Sequence, residues 1–144
     1  MKIFLALLLF LQVQTGEKSV VKAFHEAVDR KMETTFIKQY RNSKSPTVLG
    51  YVYSLEMKQA KYKFFPWSKL AVFKKAKRKL ESLIAKNPEN VHLRYIRLVI
   101  QEQTPAILNY KDKISADKSF LLRKLEEKDS SDYLDYYIKK NTSL

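Results

Sequence analysis

Glycine is almost absent from this chain: only Gly16 and Gly50 occur among 144 residues. Antiparallel sheets need glycine at many of their turns, where φ must be positive. Lysine, leucine, alanine and glutamate, all good helix formers, are abundant instead. The predicted fold class is therefore all-α. Apolar residues make up 45% of the chain, and a domain of this length buries roughly two-thirds of its unfolded surface. One core can hold without disulfides, as it must, because cysteine is absent. That absence also excludes thiol catalysis.

Prolines mark where helices begin. Ser45-Pro46, Asn87-Pro88 and Thr104-Pro105 each set a polar capping residue before a proline suited to the first helical position. Pro66 follows Phe65, so its polar cap is missing. Between these marks apolar residues recur at spacings of three and four. Val20, Ala23, Phe24, Ala27, Val28, Met32, Phe36 and Tyr40 predict one amphipathic helix capped by Ser19. Its weak point falls at the β-branched pair Thr34-Thr35. Val48, Leu49, Val52 and Leu55 mark the inner face of the next helix, with Gly50 at a close approach to a neighbour. Leu70, Phe73, Ala76, Leu80, Leu83 and Ile84 line a third. The stretch Pro88 to Gln101 is apolar on most sides, which predicts a central helix. Ser115 to Leu125, with Phe120 and Leu121 inward, and a last helix after Ser130 or Ser131 complete the set. Short joins make neighbouring helices antiparallel hairpins.

The ends differ from the middle. "MKIFLALLLFLQVQTG" has one lysine, an apolar stretch from Ile3 to Val13, and small residues after it. This is the layout of a secretory signal peptide over 1–16, too short for the about 20 residues of a spanning helix. The expected mature domain is 17–144. Loss of Lys2 takes the net charge from +13 to 13 − 1 = +12. Export, to a periplasm or out of the cell, makes anionic lipid, wall polymer or a protein the expected partner and removes nucleic acid from first consideration.

Ala76, Leu80, Leu83 and Pro88 resemble the second helix of a tetratricopeptide-type repeat and the turn that leaves it, in a unit of about 34 residues. "LGYVYSLEMKQAKY", Leu49 to Tyr62, echoes a first helix. The chain also resembles small exported bacterial proteins of unassigned function. The matching residues are Ala60-Lys61, Pro66, Lys69-Leu70, Glu81, Ile84, Pro88, Asn90, Leu93-Arg94, Arg97, Gln101, Pro105, Tyr110, Ile114 and Asp117. Phe65 stands where that pattern has asparagine. The resemblance implies export and a TPR-like or α-solenoid-like stack of hairpins, with a repeat-like core over about 46–125. It carries no chemistry to transfer.

Three constellations stand out. Arg94, Arg97 and Gln101 share one helix face, with Asn90. A guanidinium on a central helix must be paired. Either Glu81, Asp112 or Asp117 closes an internal clamp, or the two forks hold the anion of a ligand. Lys74, Lys75, Lys77, Arg78 and Lys79 form a basic surface opposite the apolar face of their helix. It is read first as a solvated face and next as a contact with anionic membrane or wall polymer. "KYKFFPWSKL" interleaves aromatics with lysines; it is read as a plug for the end of a hairpin, with base stacking or a lipid interface as the other uses. "HEAVD", His25 to Asp29, has the first half of a zinc motif and lacks its second histidine, so no metal site is expected. No phosphate loop, nucleophile set or paired buried carboxylates can be assembled, so no cofactor and no enzyme activity are expected. The functional expectation is a non-catalytic protein- or peptide-binding scaffold of the cell envelope. Its alternatives are a basic peripheral protein on an anionic surface, and a small-anion binder or enzyme using Arg94 and Arg97.

Overall fold

The computed structural model describes residues 16–144. The leader expected over 1–16 lies, but for Gly16, outside the described residues. Those residues form α1 (16–26), α2 (Arg30–Tyr40), α3 (Pro46–Lys58), α4 (Pro66–Lys86), α5 (Val91–Gln103), α6 (Ile114–Glu126) and α7 (Asp135–Asn141). Single 3₁₀ turns fill Gln59–Tyr62, Ala106–Leu108 and Asp132–Leu134, and no strand occurs among the described residues.

The first predicted helix is two. It breaks at residues 27–29, not at Thr34-Thr35. Asp29 explains the position: its carboxylate accepts the Met32 amide at 2.8 Å and caps α2. The threonines stay helical, their hydroxyls donating to the carbonyls of Arg30 and Lys31 one turn back. Ser19 lies inside α1 and caps nothing. The break shifts the helical phase, so Val28 and Met32, expected inward, are exposed. The buried position on α2 next to Met32 is Glu33.

Ser45 caps α3 with Pro46 at its first position, and α4 begins at Pro66 behind an uncapped Phe65. α5 begins three residues later than Pro88 suggests: Asn87 closes α4, and Asn90 accepts the Leu93 amide as the cap. Thr104-Pro105 also differs. Thr104 terminates α5, and Pro105 leads into a 3₁₀ turn that ends at Asn109 in the left-handed region, φ 46. Asparagine is one of the few residues that accept this conformation at small cost. No serine caps the last helix; α7 grows out of the 3₁₀ turn at Asp132–Leu134.

The turn after α3 sends α4 back along it, and the loop after α5 does the same for α6, so the two closest pairs are α3/α4 and α5/α6. α5 is central, packing on α3, α4 and α6. Leu93, Tyr95, Ile96 and Leu98 carry it into one core with Tyr51, Val52 and Leu55 of α3, Leu80 and Ile84 of α4, and Leu121 of α6. Gly50 is where α3 meets α5: an added Cβ would stand 2.3 Å from a methyl of Leu93 and 3.2 Å from one of Ile96.

Gly50→Ala gains helix propensity but overpacks this contact, and overpacking costs about 1–3 kcal/mol. A net loss of roughly 1 kcal/mol is expected by urea unfolding. A variant as stable as the wild type would mean that the Leu93 and Ile96 methyls have room to move.

Candidate functional site

The arginine stripe is closed from within. Asp117, fully buried in the first turn of α6, accepts Nε of Arg97 at 2.7 Å and Nη2 at 2.8 Å, and also accepts Nε of Arg94. The remaining fork of Arg97 donates to Glu81 of α4 at 2.9 Å. Arg94 spends its other nitrogens on the carbonyls of Pro88 and Ala116. Two guanidinium groups and two carboxylates make the cluster neutral. Burial works against the Arg97 charge, but Asp117 and Glu81 outweigh it and raise its pKa. Gln101 belongs to the same clamp: its amide donates to Asp112 and its carbonyl accepts the Lys113 amide. Tyr110, buried between α4 and α5, donates its hydroxyl to Glu81. A ligand anion at Arg94 and Arg97 would have to displace Asp117, so the small-anion site gives way to an internal clamp.

The basic run does not form one solvated face. Lys77 lies 4.4 Å over the ring of Tyr110. Lys79 pairs with Glu56 at 2.6 Å and lies over Tyr53. Lys74, Lys75 and Arg78 are exposed. Arg78, Lys79 and Lys86 edge a shallow hollow of about 340 Å³ beside Tyr53.

The aromatic turn is not a plug. Phe64 is 86% exposed and Trp67 68%, and Phe65 is also exposed. The backbone before Pro66 is extended, as a residue preceding proline prefers, which leads Phe64 and Phe65 away from both helices. The three rings pack on one another instead, Phe65 on Trp67 at 4.6 Å and Phe64 against Phe65 at 5.0 Å. Leu70, expected inward, is exposed one turn further on.

These side chains share their end of the bundle with others. A cavity of about 580 Å³ is lined there by residues of all the segments that meet: Val28 before α2, Ala60 and Lys61 after α3, Phe73 of α4, Pro105 and Leu108 after α5. Seven of the nine large exposed hydrophobics among the described residues, Val28, Met32, Phe64, Phe65, Trp67, Leu70 and Ile107, lie in or next to these segments. Lys58, Lys61, Lys63 and Lys69 are exposed among them. The acids at this end are engaged. Asp29 caps α2, and Glu26 lies 3.8 Å from Lys22. Glu33 is buried, with Lys58 at 2.6 Å, Lys61 at 3.9 Å and a hydrogen bond from Gln59. The Lys58 contact falls on an oxygen without a well-aligned hydrogen bond, so it is held by charge and proximity.

Sequence reasoning missed a second buried polar network. Nδ1 of His25 lies 2.7 Å from the Val21 carbonyl, so it must donate there. Nε2 then accepts the Tyr95 hydroxyl at 2.8 Å, and that hydroxyl accepts from Asn141 of α7. Tyr137 stacks on His25 at 3.9 Å. His92 bridges Tyr51 at 2.8 Å and Tyr133 at 3.0 Å. Tyr51 is fully buried and its hydroxyl proton has no other acceptor among the described residues, which assigns it to Nδ1 and the His92 proton to Nε2. Burial lowers the pKa of both histidines, that of His92 to about 4. Both are therefore neutral struts tying α1 and α7 to α3 and α5. Four tyrosines on apolar faces were the one available signal, and their periodicity is that of any core residue. Asp29, the last residue of "HEAVD", is a helix cap, and the described residues contain no cluster of three or more metal-ligating side chains.

Compared with known proteins, the chain matches no family model, no curated protein and no solved structure.

Removing Asp117 leaves two guanidinium groups beside the core without their carboxylate, and breaking a buried ion pair costs about 3–5 kcal/mol. Asp117→Asn is expected to lose stability in that range, and Arg94→Met clearly less, since Arg97 still holds Asp117. Urea unfolding of both checks the order. The histidines give a pH dependence. Their native pKa values lie below the unfolded value, so the native state resists protonation and its full stability holds above the unfolded pKa of 6.5. Stability falls as pH drops from there towards about 4, where His92 protonates. The loss from His92 reaches about 3 kcal/mol at the acid end. Urea midpoints should already decline between about pH 7 and pH 5, and decline less in His92→Gln.

Proposed function

We propose that the protein is a non-catalytic, exported basic protein that docks on an anionic lipid surface through the aromatic end of its helical bundle. The observation that carries this is the gathering of most of the large exposed hydrophobics among the described residues, interleaved with lysines, at that one end. Phenylalanine and tryptophan rings favour the headgroup level of a bilayer, and lysines beside them meet its phosphates. Apolar patches of this kind on a soluble protein mark an interaction surface. Each basic residue close to an anionic surface adds on the order of 1 kcal/mol, and the net charge of 13 − 1 = +12 left after loss of Lys2 draws the whole molecule the same way. No helix among the described residues is long and apolar enough to cross a membrane, so lying on the surface is the mode argued for. Export rests on the signal-like stretch over 1–16.

The peptide-binding scaffold is the second reading. It is favoured by the pairing of α3 with α4 and of α5 with α6 around a shared α3/α5 contact. That is how two TPR-like hairpins would stack, and stacked hairpins offer concave surfaces to peptides.

Co-sedimentation with anionic and neutral vesicles separates the readings. Binding selective for the anionic vesicles is expected to persist at about 0.15 M salt, where exposed charges alone are screened beyond about 8 Å. Phe64→Ala with Trp67→Ala should weaken it about tenfold, the equivalent of about 1.4 kcal/mol, with an unchanged unfolding midpoint. Lys74→Ala with Lys75→Ala should change it little. No binding, or a double aromatic variant that binds like the wild type, overturns the reading.

A further inference from the structure

The cavity at the aromatic end has the makings of a ligand site. Its volume of about 580 Å³ lies in the range of small-molecule pockets, roughly 300–1,000 Å³. Its wall is mostly hydrocarbon: Phe24, Leu55, Met57, Phe73, Ile100 and Leu108 contribute from five different segments. Four neutral polar side chains reach it, His25, Ser54, Gln103 and Thr104, and the first and last of these are spent. Both ring nitrogens of His25 bond within the protein, and the Thr104 hydroxyl donates to the Ile100 carbonyl. Water in such a space finds few partners, whereas a hydrocarbon chain replaces it favourably.

Charge is placed at one side of this cavity. Lys58 and Lys61 both line it, and they share the single carboxylate of Glu33. Two ammonium groups against one buried anion leave one positive charge without a partner in the cluster. Lys61 holds Glu33 the more loosely, at 3.9 Å against 2.6 Å, and is half-exposed. A largely apolar cleft with an unneutralised cation at its rim is complementary to a hydrocarbon chain ending in an anion.

We propose that this cavity binds one long-chain fatty-acid carboxylate, its chain among Phe24, Met57, Phe73 and Ile100 and its head at Lys61. The proposal rests on the lipid-surface reading, since the surface that the aromatic end meets would supply the ligand beside the cavity. It goes further in assigning a stoichiometric site in this cleft. Lys58 stays on Glu33 in both states, and Lys61 turns between Glu33 and the ligand.

Titration calorimetry with dodecanoate tests it, against dodecyltrimethylammonium, which has the same chain and the opposite head. Both are used below their micelle concentrations with the purified full chain. Saturable one-to-one binding is expected for dodecanoate and not for the cation. Lys61→Gln should weaken dodecanoate about fivefold, within the range of a partly exposed ion pair. Ser54→Phe, which fills the cavity from α3, should abolish binding and leave vesicle co-sedimentation intact. As a readout on the unaltered protein, dodecanoate should shift the methyl resonances of Met57 and Ile100 and leave those of Leu134 and Ile138 in place. Absence of saturable binding, equal binding of the cationic analogue, or unmoved Met57 and Ile100 methyls overturns the site. If vesicle binding survives such a result, the lipid-surface reading stands without it. If the Phe64 and Trp67 double variant binds vesicles like wild type while dodecanoate still fills the cavity, that reading falls and the site remains.

Discussion

Asp117 is the carboxylate on which the rest of the arrangement depends. It is fully buried, and it receives three hydrogen bonds from two arginines of the central helix. Isolated in the core, any of these charges would be expensive. Together with Glu81 they sum to zero and satisfy one another's geometry, which ties α4, α5 and α6 at one point. Such a cluster adds little net stability over an apolar packing, but it strongly penalises any other register of the three helices.

The consequence reaches the candidate site. Because α6 is held at Asp117, the loop that precedes it must fold back along α5. Gln101 fixes that loop at Asp112 and Lys113, and Tyr110 drives into the core to reach Glu81. Asn109 in the left-handed region makes the turn. The chain from Pro105 to Leu108 is thereby laid across the end of the bundle, where it forms one wall of the cavity and presents Ile107. On the opposite side Glu33 does similar work, gathering Lys58, Lys61 and Gln59 so that α2 closes against α3.

How much of this could be read from sequence follows the range of the forces involved. Helical class, the starts of α3 and α4, and the packing role of Gly50 are local matters of propensity, capping and side-chain size, and the sequence carries them directly. The common face of Arg94, Arg97 and Gln101 is equally local, and the need for a carboxylate partner follows from their central helix. Which of Glu81, Asp112 and Asp117 would serve depended on how the loop after α5 folds. The break at residues 27–29 was missed because a single capping side chain, Asp29, outweighed the propensity of two threonines. The exposed aromatics were missed for a different reason. Periodicity identifies an apolar face but not where along a helix the core ends, and Leu70 and Trp67 lie past that limit. His25 and His92 form hydrogen bonds with tyrosines 41 to 70 residues away, pairings that no spacing rule anticipates.

The same physics supplies the reporter for the central claim. Trp67 is the only tryptophan in the chain, and it stands exposed within the aromatic cluster. Its fluorescence on anionic vesicles, with bromine carried at successive depths of the lipid chains and iodide in the water, measures where that end of the bundle lies. Quenching by the bromines nearest the headgroups, together with loss of iodide access, is the result the account predicts. A vesicle-bound protein whose Trp67 stays open to iodide and untouched by bromine would contradict it.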